Sequence, residues 1–517
     1  MPEAAPLIAP AALTPARRRA ITAAVTLATL IQTLDTTIAN VALPRMQGEM
    51  GATQEQIAWV LTSYIVATAI CMPLTGFLAG RFGRRRLFLA SVIGFTLASM
   101  LCGVAATLGQ IVLFRVLQGA FGAFLVPLAQ AVLLDTWPRE KQTAAMAVWG
   151  VGVMLGPILG PTLGGWLTDH QSWRWVFFIN LPIGVVTTLG LLAWLPETPA
   201  GRARRFDMTG FMCLAIGLAS LQLMLDRGES LGWFDSREIV FEAALAALGL
   251  YLFVAHILTH DAPFVQPRLF VDRNFAAGLA IVFAMGVVLL ATTTLLPPFL
   301  QGLMGYPVFD TGLLLAPRGV GTALAMIAVG RFGDRVDPRL LILLGFGLCA
   351  ASLQAMTGFD TEVTPRMVVT TGIVQGLGIG FVFPPLTTVA FASLAPADRN
   401  EGTAMFSLVR NIGSSIGISI VVSALSYTLR VERAALAEHI EASSLPLRLA
   451  IEAGTVRLDS PEGLAALDGE LTRQATTLAF LHDFRLMMWV CLAAMPLVLL
   501  LRRPVSAPPP GHATALD

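Results

Sequence analysis

Charged residues are scarce in this sequence. Only 13% of its 517 residues are Asp, Glu, Lys or Arg, whereas 55% are hydrophobic, and Lys141 is the only lysine. A soluble protein of this length carries about twice that share of charge, so the composition excludes a soluble globular fold. The net charge of +1 provides no attraction for nucleic acid. The composition instead indicates a protein that lies in a membrane.

Cysteine and histidine are also scarce, and nucleotide-binding loops are missing. The six histidines are scattered without metal-ligand spacing, which argues against a membrane enzyme built on a metal or on a His–carboxylate cluster. No phosphate-binding loop of the Gly-x-x-x-x-Gly-Lys-Ser/Thr kind is present, so ATP is not expected to supply the energy. We expect neither a cofactor nor a metal. The cysteines lie in apolar stretches and are expected to be free core thiols: Cys71, Cys102, Cys213, Cys349 and Cys491.

Fourteen apolar stretches are long enough to cross a bilayer, since a spanning helix needs roughly 18–20 residues. The first has no small-residue cleavage site before Pro44, so we expect it to be retained as a span. The predicted bounds are 20–42, 57–79, 87–107, 110–134, 142–167, 173–195, 208–226, 238–258, 274–298, 309–331, 340–358, 366–394, 401–427 and 482–502.

The grouping of these spans predicts an all-α polytopic membrane protein. After a cytoplasmic segment at 1–19 come a six-helix N-terminal bundle at 20–200, two linker spans at 201–260 and a six-helix C-terminal bundle at 261–502. Residues 503–517 contain three consecutive prolines and are expected to form a disordered cytoplasmic tail.

Arginine placement predicts the orientation, because cytoplasmic loops carry an excess of basic residues. Arginines cluster before the first span and in alternate loops after it, as in Arg17–Arg19 and Arg84–Arg86. Both termini are therefore expected in the cytoplasm, and loop 428–481 on the other side. Within that loop, Arg430–Glu441 and Gly463–Gln474 show helical spacing. The loop is either a plain solvated segment or a docking surface for a partner.

A ten-residue motif occurs twice, at Gly76–Arg85 after the second span and at Gly330–Arg339 after the tenth. Both copies begin with Gly and carry Arg at positions six and ten. Such a repeat is typical of secondary transporters built from two similar halves, with the substrate site between them. The motif residues expected to act in the conformational change are Gly76, Arg81, Gly83, Arg85, Gly330, Asp334 and Arg335.

Further motifs are Leu34–Pro44 in span one, Arg115–Gly119 in span four, a Gly-Pro run in span five and Trp173–Pro182 at the start of span six. Together with the repeat, they resemble the major facilitator superfamily, and within it the fourteen-span drug:proton antiporters of the EmrB/QacA type. The resemblance covers nearly the whole chain. The first loop departs from the family pattern, because Gly80 stands where the family usually has Asp. We therefore expect the ion pairing that holds these loops in place to depend more on Asp334 of the second copy.

Asp35 is the first candidate for carrying protons. It lies mid-way along an apolar span, where a carboxylate costs roughly 2.5–3.5 kcal/mol unless it is paired, protonated or solvated. Desolvation favours its protonated form. A structural Asp bonded to a neighbouring helix is the alternative.

Two further residues are candidates for coupling. The family resemblance implies a coupling role for Arg115, which could pair with Asp35; a snorkelling Arg is the alternative. Asp226, at the end of span seven, could form a gating pair with Arg227 or an ordinary helix-end salt bridge.

Small residues recur every fourth position in span five, from Gly152 to Gly164, and predict one close-packing helix face. The span-five residues expected to form a tight, bent contact between the two halves are Gly156, Pro157, Gly160 and Pro161. Asp135 is expected to pair with Arg139 or with the loop arginines, and His256 to be structural. The in-membrane polar residues expected to face a substrate cavity are Gln32, Gln118, Asn180, Gln375, Arg410 and Asn411.

These features predict a proton antiporter that exports hydrophobic or amphipathic small molecules across the bacterial inner membrane, that is, multidrug efflux and antibiotic resistance. A narrow-substrate exporter of a fatty acid, a peptide or a secondary metabolite on the same fold stays open. The resemblance implies a periplasmic adaptor and a TolC-type outer-membrane channel as partners, and loop 428–481 lies on the side that would meet the adaptor.

Overall fold

The computed structural model of the chain describes residues 13–197, 206–438 and 460–502, and all regular secondary structure in these ranges is helical. The α-helices are, in chain order, α1 (Pro15–Met50), α2 (Gln54–Cys71), α3 (Leu74–Phe82), α4 (Arg84–Val104), α5 (Leu108–Gly122), α6 (Leu125–Thr136), α7 (Gln142–His170), α8 (Trp175–Phe178), α9 (Asn180–Trp194), α10 (Met208–Arg227), α11 (Arg237–Thr259), α12 (Arg268–Val271), α13 (Arg273–Pro298), α14 (Val308–Phe332), α15 (Pro338–Met356), α16 (Pro365–Ala392), α17 (Arg399–Glu438) and α18 (Pro461–Ala494).

Thirteen helical stretches in the described residues are long and apolar enough to cross a membrane. The α2–α3 pair, which bends by 60°, supplies a fourteenth when it is counted as one span. The bend lies at Pro73, whose ring cannot donate a backbone hydrogen bond to the preceding turn. The predicted all-α fold with fourteen spans is confirmed.

Local sequence signals set the helix ends. Thr53 opens α2 with a capping box, in which Thr53 and Gln56 satisfy each other's backbone N–H groups. Asp207 and Asp272 cap α10 and α13 by accepting from N–H groups of the first turn. Between α3 and α4 the chain turns at Gly83 with φ of +84°, a conformation that side-chain-bearing residues rarely adopt.

The helices form two bundles joined by a linker pair. In the first bundle α1 packs on α7 and α9, and α5 packs on α2 and α4; in the second, α16 packs on α14 and α15, and α17 packs on α13 and α18. The seam between the bundles is formed where α7 contacts α14 and α16, and where α17 contacts α3 and α6. The linker helices α10 and α11 pack on each other, and α10 also contacts α2 and α17. The linker pair therefore lies along the seam.

The alternating helices place the turns after α3, α6, α14 and α16 at one end of the bundles, which we call the arginine-rich face. At the opposite face, α17 and α18 extend well past the predicted ends of their spans. α17 has 40 residues, which makes it about 60 Å long, whereas the hydrocarbon core is only about 30 Å thick. The extensions pair through Arg433 and Asp468, 2.6 Å apart. The two predicted polar helices are thus continuations of the spans; His439, Ile440 and Glu441 lie outside the described residues.

Candidate functional site

Asp35 lies in the middle of α1 and has no exposed surface. Its neighbours Leu34 and Ile38 are also buried, so the carboxylate is surrounded by protein on all sides. An ionised carboxylate in such a place is stable only when charge and hydrogen bonds compensate it.

Three side chains from α5 and α9 supply this compensation. Arg115 donates from Nη1 to Asp35 Oδ2 at 2.6 Å, while Gln118 and Asn180 donate to Asp35 Oδ1 at 2.8 and 2.9 Å. All four side chains are fully buried. The network holds one negative and one positive formal charge and is therefore neutral. The predicted pairing of Arg115 with Asp35 is confirmed as a contact.

Arg115 is held from several directions. Its Nε donates to the carbonyl of Val60 at 3.0 Å, and its Nη1 also donates to Gln118 at 2.8 Å. The guanidinium carbon lies 4.2 Å from the ring centre of Tyr64, a favourable cation–π geometry. The remaining nitrogen, Nη2, has no hydrogen-bond partner among the described residues. Four elements of the first bundle therefore fix one ion pair.

The glycine face of α7 packs against α1 of the same bundle. The sequence predicts that this face forms the contact between the two halves, and that prediction is wrong. Gly156 lies against Thr33, and Gly160 lies against Thr37, both in the first bundle. The hydroxyl of Thr33 donates to the carbonyl of Val153 at 3.3 Å, which is the carbonyl that Pro157 leaves without its helical donor. Pro161 likewise lies within the continuous α7. The glycine and proline residues thus bring α1 close to α7, while α7 reaches the second bundle through a different face.

This packing gives a testable prediction. A methyl group at Gly156 would lie 2.8 Å from Thr33 Cβ and 2.9 Å from the backbone nitrogen of Leu34, so α1 must shift. We expect Gly156→Ala to lower the free energy of unfolding in detergent by about 1–3 kcal/mol, the usual cost of overpacking. Gly165→Ala is the matched control, because a methyl group there meets nothing within 4 Å. Equal stability of the two variants would contradict the close packing.

The seam is closed at the arginine-rich face by a charge cluster around Asp135. Arg84 donates to Asp135 Oδ2 at 2.5 Å, and Arg399 donates to Oδ1 at 2.5 Å. All three side chains are buried, and Arg399 begins α17 of the second bundle, so the cluster joins the two bundles. The expected pairing of Asp135 with a loop arginine is confirmed for Arg84; its second partner is Arg399 rather than Arg139.

The two copies of the repeated motif take different positions. Gly76 allows close approach of α17, since a methyl group there would lie 3.0 Å from Glu401 Cα. Arg81 is exposed and lies over Phe82. Arg85 donates to the carbonyl of Leu192 at 2.6 Å. In the second copy, Gly330 faces Ala147 of α7 and Arg335 is exposed, while the side chain of Asp334 lies outside the described part of the structure.

The predicted cavity residues fall into separate groups. Gln118 and Asn180 belong to the Asp35 network. Gln32 is 8% exposed and its Oε1 has no partner among the described residues, and the fully buried Gln375 donates to Thr292 at 3.3 Å. Asn411 approaches Met72 across the seam.

Asp226 does not pair with Arg227. It accepts a hydrogen bond from Thr62 of α2, whereas Arg227 pairs with Glu238 of α11. The predicted pair of neighbouring residues is therefore wrong: Asp226 ties α10 to α2, whereas Arg227 joins the two linker helices to each other. The expected gating pair at this position is replaced by two separate contacts.

Arg318 and Arg410 are half-buried cations in the second bundle, and Arg318 was missed from the sequence. Arg318 donates to Thr293 at 3.0 Å and to the carbonyl of Leu289 at 3.3 Å. Arg410 lies over Phe383, whose ring stacks on Trp149 of the first bundle. Across the described ranges, neither arginine has a carboxylate partner. A charge inside an apolar stretch was the signal that could have identified Arg318.

The last span holds a further missed residue, Asp483. It is 1% exposed, and its Oδ2 finds no hydrogen-bond partner among the described residues. Its place at the very start of the predicted span hid its depth, because the helix begins some twenty residues earlier, at Pro461.

Two six-span bundles, a linker pair along their seam and a sealed ion pair inside one bundle define a multi-pass membrane transport protein. The sequence matches the Major Facilitator Superfamily over residues 25–418, and the chain belongs to that family. It is 38% identical to the multidrug export protein EmrB of Haemophilus influenzae over 425 residues, which are 81% of this chain and 83% of that protein. The predicted membership of the EmrB-type branch is confirmed.

Two further comparisons extend over more of the chain. The fatty acid resistance protein FarB of Neisseria gonorrhoeae is 34% identical over 501 residues, which cover 95% of this chain and 97% of that protein. A crystal structure of the human organic anion transporter MFSD10 (TETRAN) has a TM-score of 0.60 at 15% identity and covers 93% of this chain and 100% of that one. The second likeness concerns the fold alone.

Proposed function

We propose that the protein is a secondary active transporter that exports hydrophobic or amphipathic small molecules in exchange for protons. The buried Asp35–Arg115 pair is the observation on which the proposal rests. Asp35 is a protonatable group inside the membrane-spanning part, and the Asp35–Arg115 pair is neutral only while Asp35 is ionised. The name of the EmrB relative states export, and the name of the FarB relative states resistance to fatty acids, which agrees with that direction of transport.

Proton binding and helix movement are coupled through this pair. A proton on Asp35 would remove its negative charge and leave Arg115 buried without a counterion, which costs several kcal/mol. The protonated state is therefore stable only if α1 and α5 shift and Arg115 finds another environment. A group that favours one arrangement when ionised and another when protonated can drive a two-state transition.

The seam provides the second part of the mechanism. The Asp135 cluster and the hydrogen bond between Thr143 and Thr388, 3.2 Å long, hold the bundles together at the arginine-rich face. Alternating access requires that these contacts break in the other state. We place the arginine-rich face in the cytoplasm, following the distribution of basic residues, and the protein in the inner membrane. The described state is then the one in which the bundles are joined at the cytoplasmic face.

The second bundle favours one substrate class, lipophilic acids, over the others. Asp35 and Arg115 cancel each other, so Arg318 and Arg410 leave an excess of positive charge beside the seam. Arg410 also lies over Phe383, a partly buried aromatic ring that stacks on the buried Trp149 of the first bundle. A cation beside an aromatic surface suits a carboxylate attached to an apolar body. This arrangement favours the narrow-substrate alternative, a fatty acid exporter.

Proteoliposomes loaded with a pH-sensitive dye test the function and the substrate class together. We expect a medium-chain fatty acid or an acidic uncoupler, corrected for protein-free vesicles, to start proton movement through the protein. In Arg410→Gln the half-saturating concentration of the acid should rise about ten-fold, because one charged hydrogen bond is lost. The half-saturating concentration of a lipophilic cation should not change.

Arg366→Gln is the control for this experiment, because Arg366 is exposed at the start of α16. Equal use of acids and cations in all three proteins would favour multidrug export over a lipophilic-acid exporter. Absence of proton movement with every compound would reject antiport.

We further propose that the paired extensions of α17 and α18 bind the periplasmic adaptor that the family resemblance implies. The groove between them is lined by residues of both helices, including Leu429, Ala437 and Leu471, and is bridged by Arg433 and Asp468. Adaptor capture that survives removal of both extensions would reject this docking site.

A further inference from the structure

A cluster of metal-ligating side chains lies at the ends of the linker helices, away from the Asp35 network. Asp207, His256 and His260 each offer one ligand atom, and these atoms all lie within 4.8 Å of one another. His256 and His260 are one helical turn apart at the end of α11, and their rings stack with centres 4.7 Å apart. The expectation that no histidines have metal-ligand spacing is therefore wrong for this pair.

The carboxylate of the cluster is fixed in place. Asp207 accepts from the backbone nitrogens of Gly210 and Phe264 at 2.9 and 3.0 Å, and His256 Nε2 lies 2.9 Å from its Oδ1. Burial alone would raise the pKa of Asp207, but these two backbone N–H groups and His256 hold the pKa below its usual value. Asp207 is 8% exposed, whereas His260 is exposed, so the cluster has one anchored side and one side open to water.

We propose that Asp207, His256 and His260 form a binding site for a divalent transition metal, with Zn²⁺ as the best fit. Two imidazoles and one carboxylate are a common ligand set for this ion, and water completes a tetrahedron. Mg²⁺ and Ca²⁺ prefer oxygen ligands throughout and do not suit two imidazoles. The backbone N–H groups that hold Asp207 act as the outer hydrogen bonds that orient a ligand.

The position of the site indicates what the metal would do. It would join the start of α10 to the end of α11 and fix the segment that follows. In that segment Phe264 packs on Phe206, which packs on Phe77 of α3 at 4.8 Å between ring centres. Two residues later, the backbone nitrogen of Gln266 donates to Glu401 of α17 at 2.5 Å. A bound metal would therefore hold the linker pair against both sides of the seam. The site does not depend on the proposed antiport.

Titration with Co²⁺, a coloured substitute for Zn²⁺, tests the proposal on the full-length protein, purified without a polyhistidine tag and treated with chelator. We expect one Co²⁺ per chain, with visible absorption that Zn²⁺ abolishes by displacement. His256→Gln and His260→Gln should each weaken Co²⁺ binding by at least about 10–100-fold. Substitutions outside the ligand shell already cost that much, and these two remove ligands.

His482→Gln is the matched control, because His482 also lies near a carboxylate, 3.7 Å from Glu432, but has no second histidine beside it in the part of the chain that the structure describes. Binding should be unchanged in this variant. Absence of Co²⁺ binding, or full binding in both the His256 and His260 variants, would overturn the proposal. If His256→Gln fails to fold, the exposed His260 still decides the result, and a rise in melting temperature with Zn²⁺ that His260→Gln lacks is the second measurement.

Discussion

Asp35→Asn is expected to abolish substrate-driven proton movement and to destabilise the first bundle. The variant leaves Arg115 fully buried without a counterion. Removal of one partner of a buried ion pair costs about 3–5 kcal/mol, because the remaining charge stays in a low-dielectric environment. Proton movement is measured in the dye-loaded vesicles and stability by unfolding in mixed detergent.

A double variant separates stability from coupling. Asp35→Asn with Arg115→Gln contains no uncompensated charge, so we expect it to regain much of the lost stability while proton movement stays absent. Asp169→Asn is the matched control: its partner Arg45 is 3.6 Å away and both side chains are about two-thirds exposed, so the loss should stay below about 1 kcal/mol. Proton movement that persists in Asp35→Asn would place the proton carrier elsewhere, with the buried Asp483 as the next residue to test.

Asp135→Asn is expected to open the seam at the arginine-rich face. The substitution removes the carboxylate charge that Arg84 and Arg399 share, so the ion pairs that join the two bundles at this point are lost. We expect the population to shift by several-fold towards the state in which α6 and α17 separate. The Thr143→Cys/Thr388→Cys pair, placed in a background without the native cysteines, reports this shift as a lower yield of cross-linking.

Glu140→Gln is the control for this shift, because Glu140 is exposed in the same turn and is not part of the cluster. Its cross-linking yield should equal that of the parent protein. An unchanged yield in Asp135→Asn would show that other contacts, such as the approach of Glu401 to Gly76, hold the seam without the charges.

Much of the fold follows from the sequence because a bilayer accepts only long apolar helices as crossing segments. The ends of α17 and α18 do not follow in the same way. Helical spacing in Arg430–Glu441 predicts a helix, but spacing cannot show that this helix continues the span before it. The sequence predicts the bent α2–α3 pair as one span at 57–79, because hydropathy averages over the break at Pro73.

The site could be predicted only in part. Asp35 is evident because a lone carboxylate in an apolar stretch is costly. The polarity of a side chain in a span indicates that it lies away from lipid, but it does not show which group the side chain faces. The sequence therefore assigns Gln118 and Asn180 to the cavity. Arg399 lies 264 residues from Asp135, and only the packing of the two bundles brings them together. The glycine face of α7 predicted a close neighbour correctly, but nothing in its spacing distinguishes α1 from a helix of the other bundle.

Because α17 is so long, its far end amplifies any tilt of the second bundle. The helix starts in the seam at Arg399 and continues without a break to Glu438. A stiff rod of about 60 Å moves its tip by about 1 Å for each degree of tilt at its base. A fluorescent label near Glu438 and a second one on the opposite rim of the first bundle would therefore record each transport cycle as a change in distance, magnified by the protein's own architecture.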